Sequence, residues 1–263
     1  MPEEPDPEPE AEPGIHIQPV PPTRPWVWLA RGWTDLWRCP LPGLLHGLAA
    51  AAFGALLLML ARDRFWLLVG CFSGFLLVAP LLATGLYAVS RALEQGQRGS
   101  LGIALAAWKP RDHRLVVFGL LLALAGTGWV LTSAALITRF SVAPVNSPLD
   151  FLHVVVLADH GHLFELWLML GSVLAAPMFV SSVVAIPMLL DRPQGVLSVV
   201  TTSVGVALAS PLAMALWATL LLSLTLIGMA TYLLGLIVIV PWLAHASWHA
   251  YRDLVRSAPP GSR

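Results

Sequence analysis

Apolar residues fill this chain in long runs, and the polar residues collect between them. Residues 43–61, 65–90, 115–138 and 162–190 each form a run about as long as a bilayer-crossing helix, which takes about 20 residues. Residues 211–248 form a fifth run, too long for one crossing. Gly228 lies near its middle and divides it into 211–227 and 230–248, which makes six spans. A chain with no turn there would have five.

The segments outside these runs have patterns of their own. Residues 1–25 open with "MPEEPDPEPEAEPG", a Pro- and Glu-rich stretch with little to bury, and are expected to form a disordered tail. The stretch lacks the basic start and apolar centre of a signal peptide, so it is expected to remain in the cytosol. In "PWVWLARGWTDLWR" the helical period gathers Trp26, Leu29, Ala30, Trp33, Leu36 and Trp37 on one face, opposite Arg31, Asp35 and Arg38. Residues 26–42 thus read as an amphipathic helix in the membrane interface, with a soluble docking helix as the alternative. "GSLGIALAAWKP" and "GVLSVVTTSVGVALASP" are too short or too polar for comfortable spans, and read as interfacial or re-entrant helices. Thr201, Thr202 and Ser203 in the second could bind a small solute, but suit helix packing better.

Part of the pattern occurs twice. "LVAPLLATGLYAVSRALEQGQRG" and "LAAPMFVSSVVAIPMLLDRPQG" align Leu77, Ala79 and Pro80 with Leu174, Ala176 and Pro177. Further on, Leu93, Glu94 and Gln97 align with Leu190, Asp191 and Gln194. The repeat units cover about residues 65–138 and 162–227 and run in the same direction, so the repeat is parallel. Pro80 and Pro177 are expected to kink their spans, with Ser or Thr one turn later serving the freed carbonyls.

Composition makes the membrane assignment firm. The chain of 263 residues is 57% hydrophobic and 11% charged, against about 25% charged in soluble domains. Net charge is zero, so only the placement of charge is informative. With six spans and both termini inside, the inner segments hold Arg24, Arg31, Arg38, Arg91, Arg98, Lys109, Arg111, Arg114, Arg192, Arg252, Arg256 and Arg263. The outer segments hold Arg62, Arg64 and Arg139. Cations concentrate on the cytoplasmic side of bacterial membranes. The expected protein is therefore all-α and multi-pass in the inner membrane: a transmembrane domain over 43–256, a short tail at 257–263 and both ends cytosolic. Trp33, Trp37, Trp242, Trp248, Tyr251 and Arg252 are the expected interface anchors.

Candidate chemistry is sparse. No nucleophile elbow, phosphate loop or zinc-hydrolase helix occurs, and no carboxylate lies at the centre of a predicted span. Cys39 and Cys71 have no metal-like spacing. The chain has eight histidines. His160 and His162 sit with Asp159 and Glu165, a combination that could bind zinc or copper but equally suits the polar mouth of a span. His46 is placed to meet a backbone carbonyl. His245 and His249 share a helix face at the inner end of the last run and are expected to serve packing or headgroup contact. Two histidines supply half of a four-ligand site, and His113 with Asp112 is the nearest remainder. No cofactor and no nucleic-acid partner is expected.

"WLARGWTDLWR", "LLVAPLLATGLYAVSRALEQG", "IPMLLDR" and "GLIVIVPWLAHASWHAYRDLV" resemble the bacterial family catalogued as domain of unknown function 2189. The resemblance implies an integral membrane protein and is silent on mechanism. Some members carry an oxidase-subunit label, which these histidine positions do not support. The functional expectation is a non-enzymatic scaffold, accessory or assembly factor, whose partners are the bilayer and another membrane complex. A small-solute or lipid transporter is the main alternative, and a haem or metal protein is the third.

Overall fold

The apolar runs are helices, and their ends are set by what the runs contain. The computed structural model describes residues 15–61, 83–107, 113–158 and 161–257. Pro80, Cys71, Arg62, Arg64, Lys109 and His160 fall outside them, as do residues 1–14 and 258–263 and most of the expected second span. Helix α1 (Arg24–Arg38) has proline in its first turn, where the missing N–H costs nothing, and is followed by α2 (Pro40–Ala61). Next come α3 (Thr84–Glu94), the short α4 (Leu101–Ala107) and the long α5 (His113–Phe140). A one-turn α6 (Pro148–Phe151) runs into a π-turn over Leu152–Val156. Then come α7 (Leu163–Ser182), α8 (Ala185–Asp191), α9 (Val196–Ala209), α10 (Pro211–Ala230) and α11 (Leu236–Leu254).

Four stretches among the described residues are long and apolar enough to cross a membrane: Pro40–Met59, His113–Phe140, Leu163–Asp191 and Pro211–Ala230. The fold is that of an all-α, polytopic membrane protein. The break in the last run falls at residues 231–235, a few residues beyond Gly228. Tyr232 (φ 54°) and Leu233 (φ 68°) turn the chain there in the left-handed region, which bulky residues rarely enter. Helix α11 carries His245, His249, Arg252 and Asp253 in its second half, so it is absent from the four apolar crossings.

Helix α11 is the axis on which the rest is assembled. Along its first half it packs against α2, whose glycines admit close backbone approach. A Cβ on Gly47 would strike the Ile237 carbonyl, and one on Gly54 would lie 2.9 Å from Leu233. Along its second half it packs against α1, where a Cβ on Gly32 would lie 2.5 Å from the Ala246 nitrogen. Around this end, here called the base, one apolar core joins Trp28, Leu86, Ile186, Met188, Trp217, Trp248 and Tyr251 from five helices. A smaller cluster joins Ile137, near the end of α5, to Val145 and Val155 in the segment leading to α7.

Several expectations change. Part of the expected disordered tail is ordered: β1 (Ile15–Ile17) pairs antiparallel with β2 (Val255–Ser257), and Ile15, Ile17 and Val20 pack on the core. The reason is local composition, since "IHIQPV" is apolar where "MPEEPDPEPE" is not. Helix α1 is docked along α11 rather than only resting in an interface, and it leaves Trp26, Trp33 and Trp37 exposed. Helix α7 continues through Pro177, and the interruption falls at residues 183–184, one turn before Pro187. That is where the Pro187 ring meets the preceding turn. Ser181 and Ser182 bond the Met178 carbonyl, not the Val173 carbonyl that Pro177 frees. Ser203 of α9 fills the gap, donating to the Val180 carbonyl at 2.7 Å and accepting from the Val184 N–H. Thr201 and Thr202 turn to the Ser198 carbonyl of their own helix.

Candidate functional site

The polar residues that the apolar runs cannot absorb meet at the base. Trp28, Gly32 and Asp35 follow one another on a single face of α1, and that face meets α11. Asp35 is buried as a result, not turned to solvent with Arg31 and Arg38 as the amphipathic pattern implied. Its Oδ2 accepts from the Ser90 hydroxyl of α3 at 2.8 Å and pairs with His249 Nε2 of α11 at 2.8 Å. Ser90 also lies 2.7 Å from His245 Nδ1. A hydroxyl has one proton, and an ionised carboxylate can only accept. Ser90 therefore donates to Asp35 and accepts from His245, which places the imidazole proton on Nδ1. His245 Nε2 is left buried, with no hydrogen-bond partner among the described residues.

Asp35 is held ionised against an opposing trend. Burial pushes its carboxyl up, but the hydrogen bonds from His249 and Ser90 outweigh this and hold it below the usual carboxylate range. Asp253 repeats the logic one turn beyond His249. Burial raises it, and Arg24 at 2.6 Å, Trp28 Nε1 at 2.8 Å and Arg31 at 3.3 Å bring it below the usual range.

A third group sits on the other side of α11. Arg252 Nε lies 3.0 Å from Glu94, and its guanidinium also lies 3.6 Å from Asp191. Trp248 Nε1 donates to Glu94 at 3.1 Å, and the Tyr251 hydroxyl donates to Asp191 at 2.7 Å. Arg91 closes the set at 3.2 Å from Asp191. Glu94 and Asp191 are the two acidic residues that the sequence alignment paired, and both meet on one arginine.

The sequence-named residues thus divide. His245 and His249 share their helix face and reach the same carboxylate, one directly and one through Ser90. Trp248 and Tyr251 are not belt residues: both are fully buried, because α3 and α8 cover the face of α11 that carries them. Trp33 and Trp37 are exposed, and Trp33 stacks edge-on at 5.1 Å to Trp242, whose indole N–H donates to the Leu29 carbonyl at 2.7 Å. Arg252 is an ion-pair centre. His46 Nδ1 meets the Pro42 carbonyl at 2.7 Å, as its place early in α2 implied. His162 is exposed at the opposite end, 3.7 Å from Glu165.

Asp35, Ser90, Glu94, Asp191 and Asp253 were not singled out from the sequence as a site. The available signal was the order Trp28–Gly32–Asp35, in which a glycine flanked at helical spacing by a large and a charged residue marks a helix crossing.

Serine, histidine and aspartate invite comparison with a nucleophile relay, in which serine bonds a histidine that in turn bonds the acid. Here the order differs: Ser90 lies between His245 and Asp35, and its side chain is fully buried. Among the described residues, no group of three or more His, Cys, Asp or Glu is arranged to hold a metal ion. What the arrangement does chemically is join α1, α3, α8 and α11 by charge-assisted hydrogen bonds, buried at Asp35 and Asp253 and partly exposed at Arg252 and Glu94.

No curated protein and no solved structure matches the chain. Residues 67–191, from the second apolar run to the end of α8, match the model of the family described as a predicted integral membrane protein, DUF2189.

Proposed function

We propose that this protein is a non-enzymatic scaffold or assembly factor of the bacterial inner membrane, with both termini cytosolic. The observation that carries the reading is α7. It is an apolar, membrane-length helix, and none of its residues is buried within the chain. Leu166, Leu168, Met169, Val173 and Leu174 are all exposed along it. The base supports the same reading, since its acidic side chains are committed to holding helices together. The recurrence of short helix and long apolar helix, α3–α5 and α8–α10, fits a duplicated unit with Arg252 between the copies.

The test is photocrosslinking from Met169 and Val173 in native membranes, with adducts purified and identified. The expected result is one recurrent membrane-protein adduct whose whole complex co-purifies with the chain in mild detergent. Lipid adducts alone, together with solute or lipid flux in proteoliposomes of the pure protein, would replace the scaffold with the transporter.

A further inference from the structure

We infer that α10 and α11 form a re-entrant hairpin whose tip, residues 231–235, ends among the acyl chains and does not emerge on the far side of the bilayer. The tip reads Thr-Tyr-Leu-Leu-Gly and carries no charge, yet Tyr232 is 92% exposed and Leu234 is 67% exposed. On the flank leading to it, Leu222, Leu226 and Ile227 are exposed as well. In hydrocarbon this surface is solvated by lipid.

The backbone of the tip is the second observation. Hydrocarbon offers no partner to a bare N–H or carbonyl, so a chain can turn inside it only if the turn satisfies itself. This one does so for all its amides except that of Tyr232. Thr231 N–H donates to Ile227, Leu233 N–H to Met229 and Leu234 N–H to Thr231. At the start of α11, where amides normally lack partners, Leu236, Ile237 and Val238 donate to the carbonyls of Leu233, Leu234 and Gly235. The Thr231 hydroxyl adds two more bonds, donating to Gly228 and accepting from the Gly235 N–H at 2.9 Å. The left-handed pair Tyr232–Leu233 is the conformation that lets the chain reverse without opening these bonds.

Depth is the third. The Trp33–Trp37–Trp242 cluster marks the headgroup level on α11. From Trp242 to Leu236 the helix rises about 9 Å at 1.5 Å per residue, against a hydrocarbon core of about 30 Å. The neighbouring α2 gives the same answer. Leu233 packs at Gly54, and α2 runs on from there to Ala61, about 10 Å further. Helix α10 is long enough to cross, but its first two turns are taken up in the base core at Ala213, Met214 and Trp217. The hairpin therefore stops near mid-bilayer while α2 continues beyond it.

The experiment is depth measurement by spin labelling in reconstituted bilayers, on a background with Cys39→Ser and Cys71→Ser. Labels go at Tyr232→Cys and, separately, at Leu234→Cys. Leu124→Cys in mid-α5 is the lipid reference, and Asn146→Cys in the α5–α6 connection is the water reference. Both tip labels should collide with a water-soluble nickel chelate roughly tenfold less than Asn146→Cys, because hydrocarbon excludes polar solutes, and should match Leu124→Cys towards oxygen. Chelate collision at the Asn146→Cys level, or an oxygen profile typical of headgroups, at either folded tip variant would overturn the inference. Monodispersity of each variant identifies the folded ones, and the two positions guard against misfolding of either.

Discussion

Asp35 shows how far one residue departs from its helical-wheel position. The wheel assigned it to the polar face of α1, and the fold uses it as a buried acceptor for two other helices. Removing it strands Ser90 and His249 together, and breaking a buried pair costs about 3–5 kcal/mol. Asp35→Ala should therefore lower the thermal midpoint of the solubilised protein by more than Ser90→Ala, which removes a neutral partner worth about 1–3 kcal/mol. Equal losses would mean that the carboxylate is not the centre of the cluster. The sign of the pH effect follows from the same site. Asp35 and Asp253 both titrate lower in the folded protein than a free carboxyl. Their contribution is complete above the unfolded value of about 4, and is lost as pH falls through the lower folded values. Thermal midpoints should fall with pH below about 4 in the parent, with a shallower slope in the Asp35→Asn/Asp253→Asn protein. An unchanged slope would remove both groups from the account.

At the scale of elements, the runs were legible and their edges were not. A run of apolar residues predicts a helix because the bilayer demands one, so α2, α5, α7 and α10 fall where hydropathy placed them. Tyr251 and Trp248 look like Trp33 in sequence, but the first two are covered by α3 and α8 while Trp33 is not, and only packing tells them apart. Strand β1 was missed because three residues carry no period, and its partner lies almost the whole chain away. Its removal gives a clear test. Deleting residues 15–20 takes away the β1 pairing and the Val20 N–H bond to Ser210 at 3.0 Å, together with apolar contacts of Ile15, Ile17 and Val20. The deletion should lower the thermal midpoint measurably, by about 2 kcal/mol or more of lost side-chain burial. An unchanged midpoint would restore the view of this segment as a dispensable tail.

For the molecule as a whole, the arginine distribution carried the most information. Arg24, Arg31, Arg91, Arg114, Arg192 and Arg252, assigned to the inner side from sequence, all make their contacts at the base. Reporter fusions at Gln95 and at the C-terminal end should read cytosolic, and one at Asn146 periplasmic; a periplasmic C-terminal reporter would refute the proposed orientation. The candidate site was less legible, because its carboxylates come from α1, α3, α8 and α11, and no local pattern announces which of them will meet. The pairing of β1 with β2 has a consequence for synthesis. Ile15–Ile17 leave the ribosome long before Val255–Ser257, and so does Asp35 before His249. Strand β1 must wait with an open edge, and Asp35 with only Ser90 of α3 to meet it, until His249 and β2 are made at the end of the chain. The base therefore closes only when α11 arrives.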